Sequence, residues 1–318
     1  MSSSAPIGFT LIGGYLGAGK TTLLNHLLTN NQSMRIAVLI NDFGAINIDA
    51  ALIEHSSDSQ INLTNGCVCC GLSDGFDRAI EQLLDSPQKP DHIVVEASGV
   101  ADIATLSQYG QAPELHLDGV LVVADAETVR AKAVDKYVAN TVTRQLAAAD
   151  LLVLNKMDLV SRAEELALKN WLSQYVESEH IVPTIFSKVP LALLIGARTP
   201  AKPTALAPRE AHKHVHDEDY LSWNFRCNAP LNSTQVKRFL GALPPTILRG
   251  KGFFDIDDQS GGRAPTLWQR VGARESLIPM PSDHQSASSS TQIVVIAMAA
   301  EVTEHELDQL AATYLQTA

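Results

Sequence analysis

The 318-residue chain has no stretch approaching 18 consecutive apolar residues, so no membrane-spanning helix is expected. Its opening, MSSSAPIGFTLIGGYLG, lacks a positively charged start and a clean apolar core, which argues against a secretory signal peptide. It has no run of lysine or arginine, and its formal net charge is −11. A field of that sign repels polyanions, so nucleic acid is not an expected partner; with no spanning stretch, neither is a membrane. Cysteine is scarce as well. Four residues in the whole chain make no disulfide framework, and the expectation is a soluble, cytoplasmic protein whose cysteines are thiols. Yet three of the four, Cys67, Cys69 and Cys70, share the stretch LTNGCVCCGL at 63–72.

A hydrophobic content of 45% supports a large core and two domains. Through residue 197, continuous apolar runs alternate with helical patterns: IGFTLIG (7–13), RIAVLI (35–40), HIVVEA (92–97), GVLVVAD (119–125) and DLLVLN (150–155), with helices expected over 73–85, 126–147 and 161–177. Such runs suit strands buried on both faces, and the fold class is α/β: a P-loop NTPase domain with a doubly wound, mostly parallel sheet. A Pro- and His-rich stretch over 198–218 reads as a linker. Residues 219–318 read as a smaller α+β domain. LSWNFRC, ILRGKGFFDI, LWQRVGAR and QIVVIAM are its expected strands, with one helix opened by Ser233 and a closing helix capped by Thr303 with Glu306 three residues on. The segment 281–291 reads as a loop, and Cys227 as a core residue.

GGYLGAGKTT places Gly14, four residues, and then Gly19-Lys20-Thr21 between a strand and a helix. Glycines let backbone N–H groups close round phosphate oxygens, and the helix N-terminus adds positive potential. The expected phosphate contacts are Gly14, Gly17, Ala18, Gly19, Lys20, Thr21 and Thr22, with Lys20 on the β- and γ-phosphates and the Thr21 hydroxyl on Mg²⁺. LLVLNKMDLV puts Asn155, Lys156 and Asp158 at a strand end. N-K-x-D in that place reads guanine, because the Asp158 carboxylate accepts two N–H donors from the base edge, which adenine does not offer. IFSKVP (185–190) makes Ser187, and more weakly Lys188, candidates for the base pocket. HIVVEASG ends a strand with Glu96 and places Gly99 three residues on. Gly99 is expected to give an N–H to the γ-phosphate, and Glu96 either to hold a Mg²⁺-bound water or to orient the attacking one. Lys20 and Glu96 are thus the candidate catalytic residues.

GGYLGAGKTTLLNHLL, NDFGAINIDA, LTNGCVCCGL, EASGVAD and LNKMDL, in that order, resemble the CobW-type metallochaperone GTPases of the SIMIBI class. ILRGKGFFDI, WQRVGAR and TQIVVIAM resemble that family's C-terminal domain. The resemblance implies hydrolysis of GTP to GDP coupled to handling of a transition metal, often Zn²⁺; unaided turnover is expected to be slow, because no arginine finger or glutamine presents itself in the sequence. It implies Cys67, Cys69 and Cys70 as metal ligands. Three clustered thiolates are soft ligands that favour Zn²⁺ or Cu(I), and three leave a position open for transfer. The expected partners are therefore GTP, a transition-metal ion and a client metalloprotein, with the oligomeric state left open between a monomer and a homo-oligomer. Two departures stand out: Asp42 and Ala45 follow Asn41 where many relatives carry N-E-F-G and a further acidic residue, and Asn62 stands where many carry Glu. Asp49 is a candidate for Mg²⁺ or switch duty. His212, His214 and His216 alternate along the linker and read equally as metal ligands, with Asp217 or Asp219, or as a solvated tract. The rival readings are a metal-sequestering protein with GTP as a structural or regulatory ligand, and a small-molecule kinase.

Overall fold

The computed structural model describes residues 6–30, 34–40, 60–62, 74–196, 220–257, 263–280 and 290–315. Asp42, Ala45, Asp49, Cys67, Cys69, Cys70, His212, His214, His216, Asp217 and Asp219 lie outside the described residues, as do the expected linker and most of the expected 281–291 loop. The chain divides into two compact units, Pro6–Ile195 and Gly196–Ala318.

In the first unit the strands are β1 (Ile7–Gly13), β2 (Ile36–Ile40), β3 (Gln60–Asn62), β4 (His92–Glu96), β5 (Leu115–Asp125), β6 (Leu151–Asn155) and β7 (Ile181–Pro183). They form one sheet in the order β3-β2-β4-β1-β5-β6-β7, and every pairing is parallel. All residues of β1, β4 and β6 are buried, which is why these strands read as continuous apolar runs. The helices are α1 (Lys20–Asn30), α2 (Asp74–Asp85), α3 (Ile103–Ser107), α4 (Val129–Lys132), α5 (Ala139–Ala147), α6 (Arg162–Leu172) and α7 (Leu191–Ile195). From β1 the chain crosses to one side of the sheet, and from β4 it crosses back to the other. The phosphate loop therefore sits at the carboxyl edge where the winding reverses, the place ligands occupy in open α/β sheets.

Several expected elements differ. The helix expected over 126–147 is two, α4 and α5. Between them the Asp135 carboxylate accepts from Tyr137 N at 2.8 Å and Val138 N at 3.2 Å, competing with helical bonding and restarting the helix. The helix expected over 161–177 ends at Leu172, after opening with a Ser161–Glu164 capping box. The short strands β3 and β7 carry too few residues to show a period.

The second unit contains β8 (Tyr220–Cys227), β9 (Leu231–Asn232), α8 (Ser233–Ala242), β10 (Ile247–Asp257), β11 (Arg263–Val271), β12 (Arg274–Pro279), β13 (Thr291–Met298) and α9 (Glu304–Tyr314). The sheet order is β12-β11-β10-β13-β8, antiparallel, with β9 paired to β10. Phe239 of α8 and Leu307 and Ala311 of α9 share a buried cluster with Trp223, Phe254, Trp268 and Val295 of the strands. Thr303 and Glu306 form the expected capping box on α9. Helix α8 does open at Ser233, but its capping side chain is Asn232, in a box with Gln235. LWQRVGAR is not one strand: it turns at Gly272, with Val271 paired to Arg274. Cys227 is half-buried at the end of β8, with Sγ 3.7 Å from the Ala229 carbonyl, rather than in the core.

Candidate active site

The loop between β1 and α1 is built by its backbone. Gly14 and Gly19 have φ of 131° and 113°, where a side chain is strained. A Cβ on Gly19 would also press into the Asn155 amide and come within 2.8 Å of Ser187 Oγ. Helix α1 has no acidic residue in its first turn to oppose an anion at its N-terminus. Lys20 opens the helix and is only 8% exposed, Thr21 is half-buried and Thr22 is exposed.

Strand β4 lies beside β1 with Ile12 opposite Glu96, which brings the strand-end carboxylate to the loop. Thr21 Oγ1 donates to Glu96 Oε1 at 3.0 Å, and Glu96 is 3% exposed. A hydroxyl and a buried carboxylate side by side are hard oxygen donors of the kind Mg²⁺ takes, so Thr21 and Glu96 fit that ion. Gly99 lies in the turn after β4, packed against Leu16 of the phosphate loop.

On the other side, β6 ends in Asn155, which is buried and joins two loops. Its Nδ2 donates to the Ala18 carbonyl at 2.9 Å, and its Oδ1 accepts from Ser187 N at 2.8 Å. Ser187 is fully buried with φ 52°, and its Oγ donates to the Gly19 carbonyl at 3.1 Å. Lys156 adopts a left-handed φ of 63°, and its Nζ donates to Asp125 Oδ2 at 2.8 Å. Burial pushes the Asp125 carboxyl up, but hydrogen bonds from Lys156, Thr128 and the Glu127 backbone, with the Lys156 charge, together hold the carboxyl below its ordinary range. Asp158 stands exposed in the short 3₁₀ turn Met157–Leu159, and Lys188 is exposed as well.

The fold thus brings Gly14, Gly17, Ala18, Gly19, Lys20, Thr21, Thr22, Glu96, Gly99, Asn155, Lys156, Asp158 and Ser187 to one edge of one sheet. Two residues of this neighbourhood were not foreseen. Asp125 closes an apolar run at the same edge, a signal of the kind that marked Glu96. Gln145, whose side chain reaches the Gly99 turn, carries no local signal.

A parallel sheet with a glycine-lined phosphate loop at its winding reversal and an N-K-x-D strand end braced to that loop defines a P-loop GTPase. Residues 8–183 match the family model described as CobW/HypB/UreG, nucleotide-binding domain, and residues 220–312 match the cobalamin synthesis protein cobW C-terminal domain. The chain belongs to this family of GTP-hydrolysing enzymes. It is 30% identical to the zinc chaperone CobW of Sinorhizobium sp, over 98% of this chain and 96% of that protein. It is 36% identical to the zinc chaperone YjiA of Escherichia coli K12, over 80% of this chain and 83% of that protein. The Zn(II)-bound crystal structure of the E. coli YjiA GTPase aligns at a TM-score of 0.42 and 23% identity, over 98% of this chain and 99% of that one. No helix among the described residues is long and apolar enough to cross a membrane.

Proposed function

We propose that this chain hydrolyses GTP to drive capture and release of a transition-metal ion, zinc foremost, held by Cys67, Cys69 and Cys70 and delivered to a client metalloprotein in the cytoplasm. GTP is the substrate and the metal ion is the cargo. The observation that carries the reading is topological. Every strand of the first sheet is parallel, so every carboxyl end opens on one edge. Asn62, the last residue of β3, is level with Val38, which is level with Val94, two residues before Glu96. The chain therefore departs toward the C-x-C-C run from the same edge that carries Glu96, two strand spacings, about 10 Å, from β4. A loop rooted there has a short path to the residues around a γ-phosphate. That two relatives are named zinc chaperones supports the choice of metal.

On this reading Gly14, Gly17, Ala18, Gly19 and Thr22 wrap the phosphates with backbone N–H groups, and Lys20 spans the β- and γ-phosphates. Thr21 and Glu96 would hold Mg²⁺, which when bound would neutralise phosphate charge. Gly99 N–H meets the γ-phosphate. Water attacks the γ-phosphorus, the bond to the β–γ bridging oxygen breaks, and GDP and phosphate leave. Asp158 accepts from the guanine edge, while Lys156 and Ser187 complete the base pocket.

Asp158→Asn tests the base reader. An amide cannot accept both guanine donors, so GTP affinity should fall about 100-fold. Xanthosine triphosphate, with a carbonyl where guanine has its amino group, should bind the variant better than GTP does. Competition titrations measure both, and an unchanged preference for GTP rules the assignment out. The metal coupling is tested by zinc dissociation constants of the whole chain with GDP and with a non-hydrolysable GTP analogue. A difference of about fivefold or more is expected, the size of an ordinary coupling between sites. Equal constants would instead favour a sequestering protein.

A further inference from the structure

The turn Ser98–Ala101, between β4 and α3, closes with Ala101 N–H donating to the Ser98 carbonyl at 3.0 Å. It is packed tightly on the phosphate loop: a Cβ on Gly99 would come within 2.7 Å of the Leu16 amide nitrogen. Helix α5 holds it from another side. Gln145 Nε2 donates to the Gly99 carbonyl at 3.2 Å and to the Ala101 carbonyl at 3.1 Å, and Gln145 is 3% exposed. The preceding residue, Arg144, pairs with Asp102 at 2.7 Å, but both side chains are largely in solvent and the pair is screened. The Gln145 bonds are buried, so they are not screened in this way.

The side chain also carries a cost. Its Oε1 is buried and accepts no hydrogen bond from a described residue. Gln145 lines a cavity of about 20 Å³, together with Tyr15 and Ala18 of the phosphate loop and Asp125. A buried amide that leaves its acceptor unmatched while both N–H groups serve one turn calls for a reason in that turn.

We propose that Gln145 is a positioning residue for γ-phosphate recognition: its amide holds the Ser98–Ala101 turn in the arrangement that presents the Gly99 N–H. This rests on the reading that Gly99 contacts the γ-phosphate. GDP has no γ-phosphate and makes no use of the turn, so Gln145 should matter for GTP and not for GDP.

The test uses the full chain with Mg²⁺, titrated with a fluorescent GDP and a fluorescent non-hydrolysable GTP analogue, and assayed for hydrolysis at saturating GTP. Gln145→Leu keeps the size and removes the donors. The analogue's affinity should fall about tenfold and kcat by a similar factor, with GDP affinity within twofold of wild type. Equal losses for both nucleotides, or no loss for either, overturn the proposal. Gln145→Met carries the same expectation if the leucine variant does not fold, and failure of both to bind GDP marks a purely structural residue and counts against the proposal. Gly99→Ala separates the two ideas. If it leaves the preference between nucleotides unchanged, the γ-phosphate role of Gly99 fails. If it destroys the preference while Gln145→Leu keeps it, only the role of Gln145 falls.

Discussion

Lys20→Met should abolish measurable multiple turnover, lowering GTP hydrolysis by about 10³-fold while GDP still binds. Removing one fixed charge from a buried site where transition-state charge develops costs about 3–4 kcal/mol, and each 1.4 kcal/mol is a factor of ten in rate. Lys20 meets the condition for the upper end of that range, because at 8% exposure water screens it little. Methionine keeps the length and apolar stem of lysine, so the loop need not reshape. A thermal melt of the nucleotide-free variant, together with its GDP affinity, separates lost chemistry from lost folding. Phosphate release under single-turnover conditions is the measurement, and a variant within tenfold of wild type would remove Lys20 from the mechanism.

The second large effect is expected at the sulfurs. Replacing Cys67, Cys69 and Cys70 together with serine exchanges three soft thiolates for neutral hydroxyls, which do not deprotonate near neutral pH. Zinc affinity should fall by about 10³-fold or more, since thiolate and imidazole ligation of zinc in small peptides is worth about 10–16 kcal/mol. Competition against a chromophoric chelator measures it. Metal-free GTP hydrolysis should stay within threefold of wild type, because Lys20, Thr21, Glu96 and Asp158 are untouched. Any dependence of zinc affinity on nucleotide should vanish with the sulfurs. A triple variant that keeps wild-type zinc affinity moves the metal elsewhere, and His212, His214 and His216 become the next ligands to replace.

The phosphate loop and N-K-x-D were legible because each needs a local chain geometry. Gly14 and Gly19 occupy a backbone region where other residues are strained, and Asp158 must follow a buried strand end by a fixed number of residues. Ser187 was legible only as a loop position in the right order along the chain. That it is fully buried and bonded to Gly19, 168 residues away, depends on β6 and β7 lying side by side. Asn155 shows the same limit. Its place in the motif was plain, but its bonds to Ala18 and Ser187 were not, because neither partner is near it in the chain. The helix expected over 126–147 failed at Asp135, where one carboxylate redirects two backbone amides.

By itself the sequence determined an α/β P-loop domain, since buried parallel strands demand continuous apolar runs and phosphate binding demands glycines and a lysine at set spacings; the CobW type came from the resemblance of its ordered motifs. Tertiary structure alone decided that Glu96 meets Thr21, that Lys156 is anchored on Asp125, and that Gln145 clamps the Gly99 turn. The physical reason is separation along the chain. Those contacts join residues 75, 31 and 46 positions apart, and only sheet order and helix packing bring such residues within hydrogen-bonding distance.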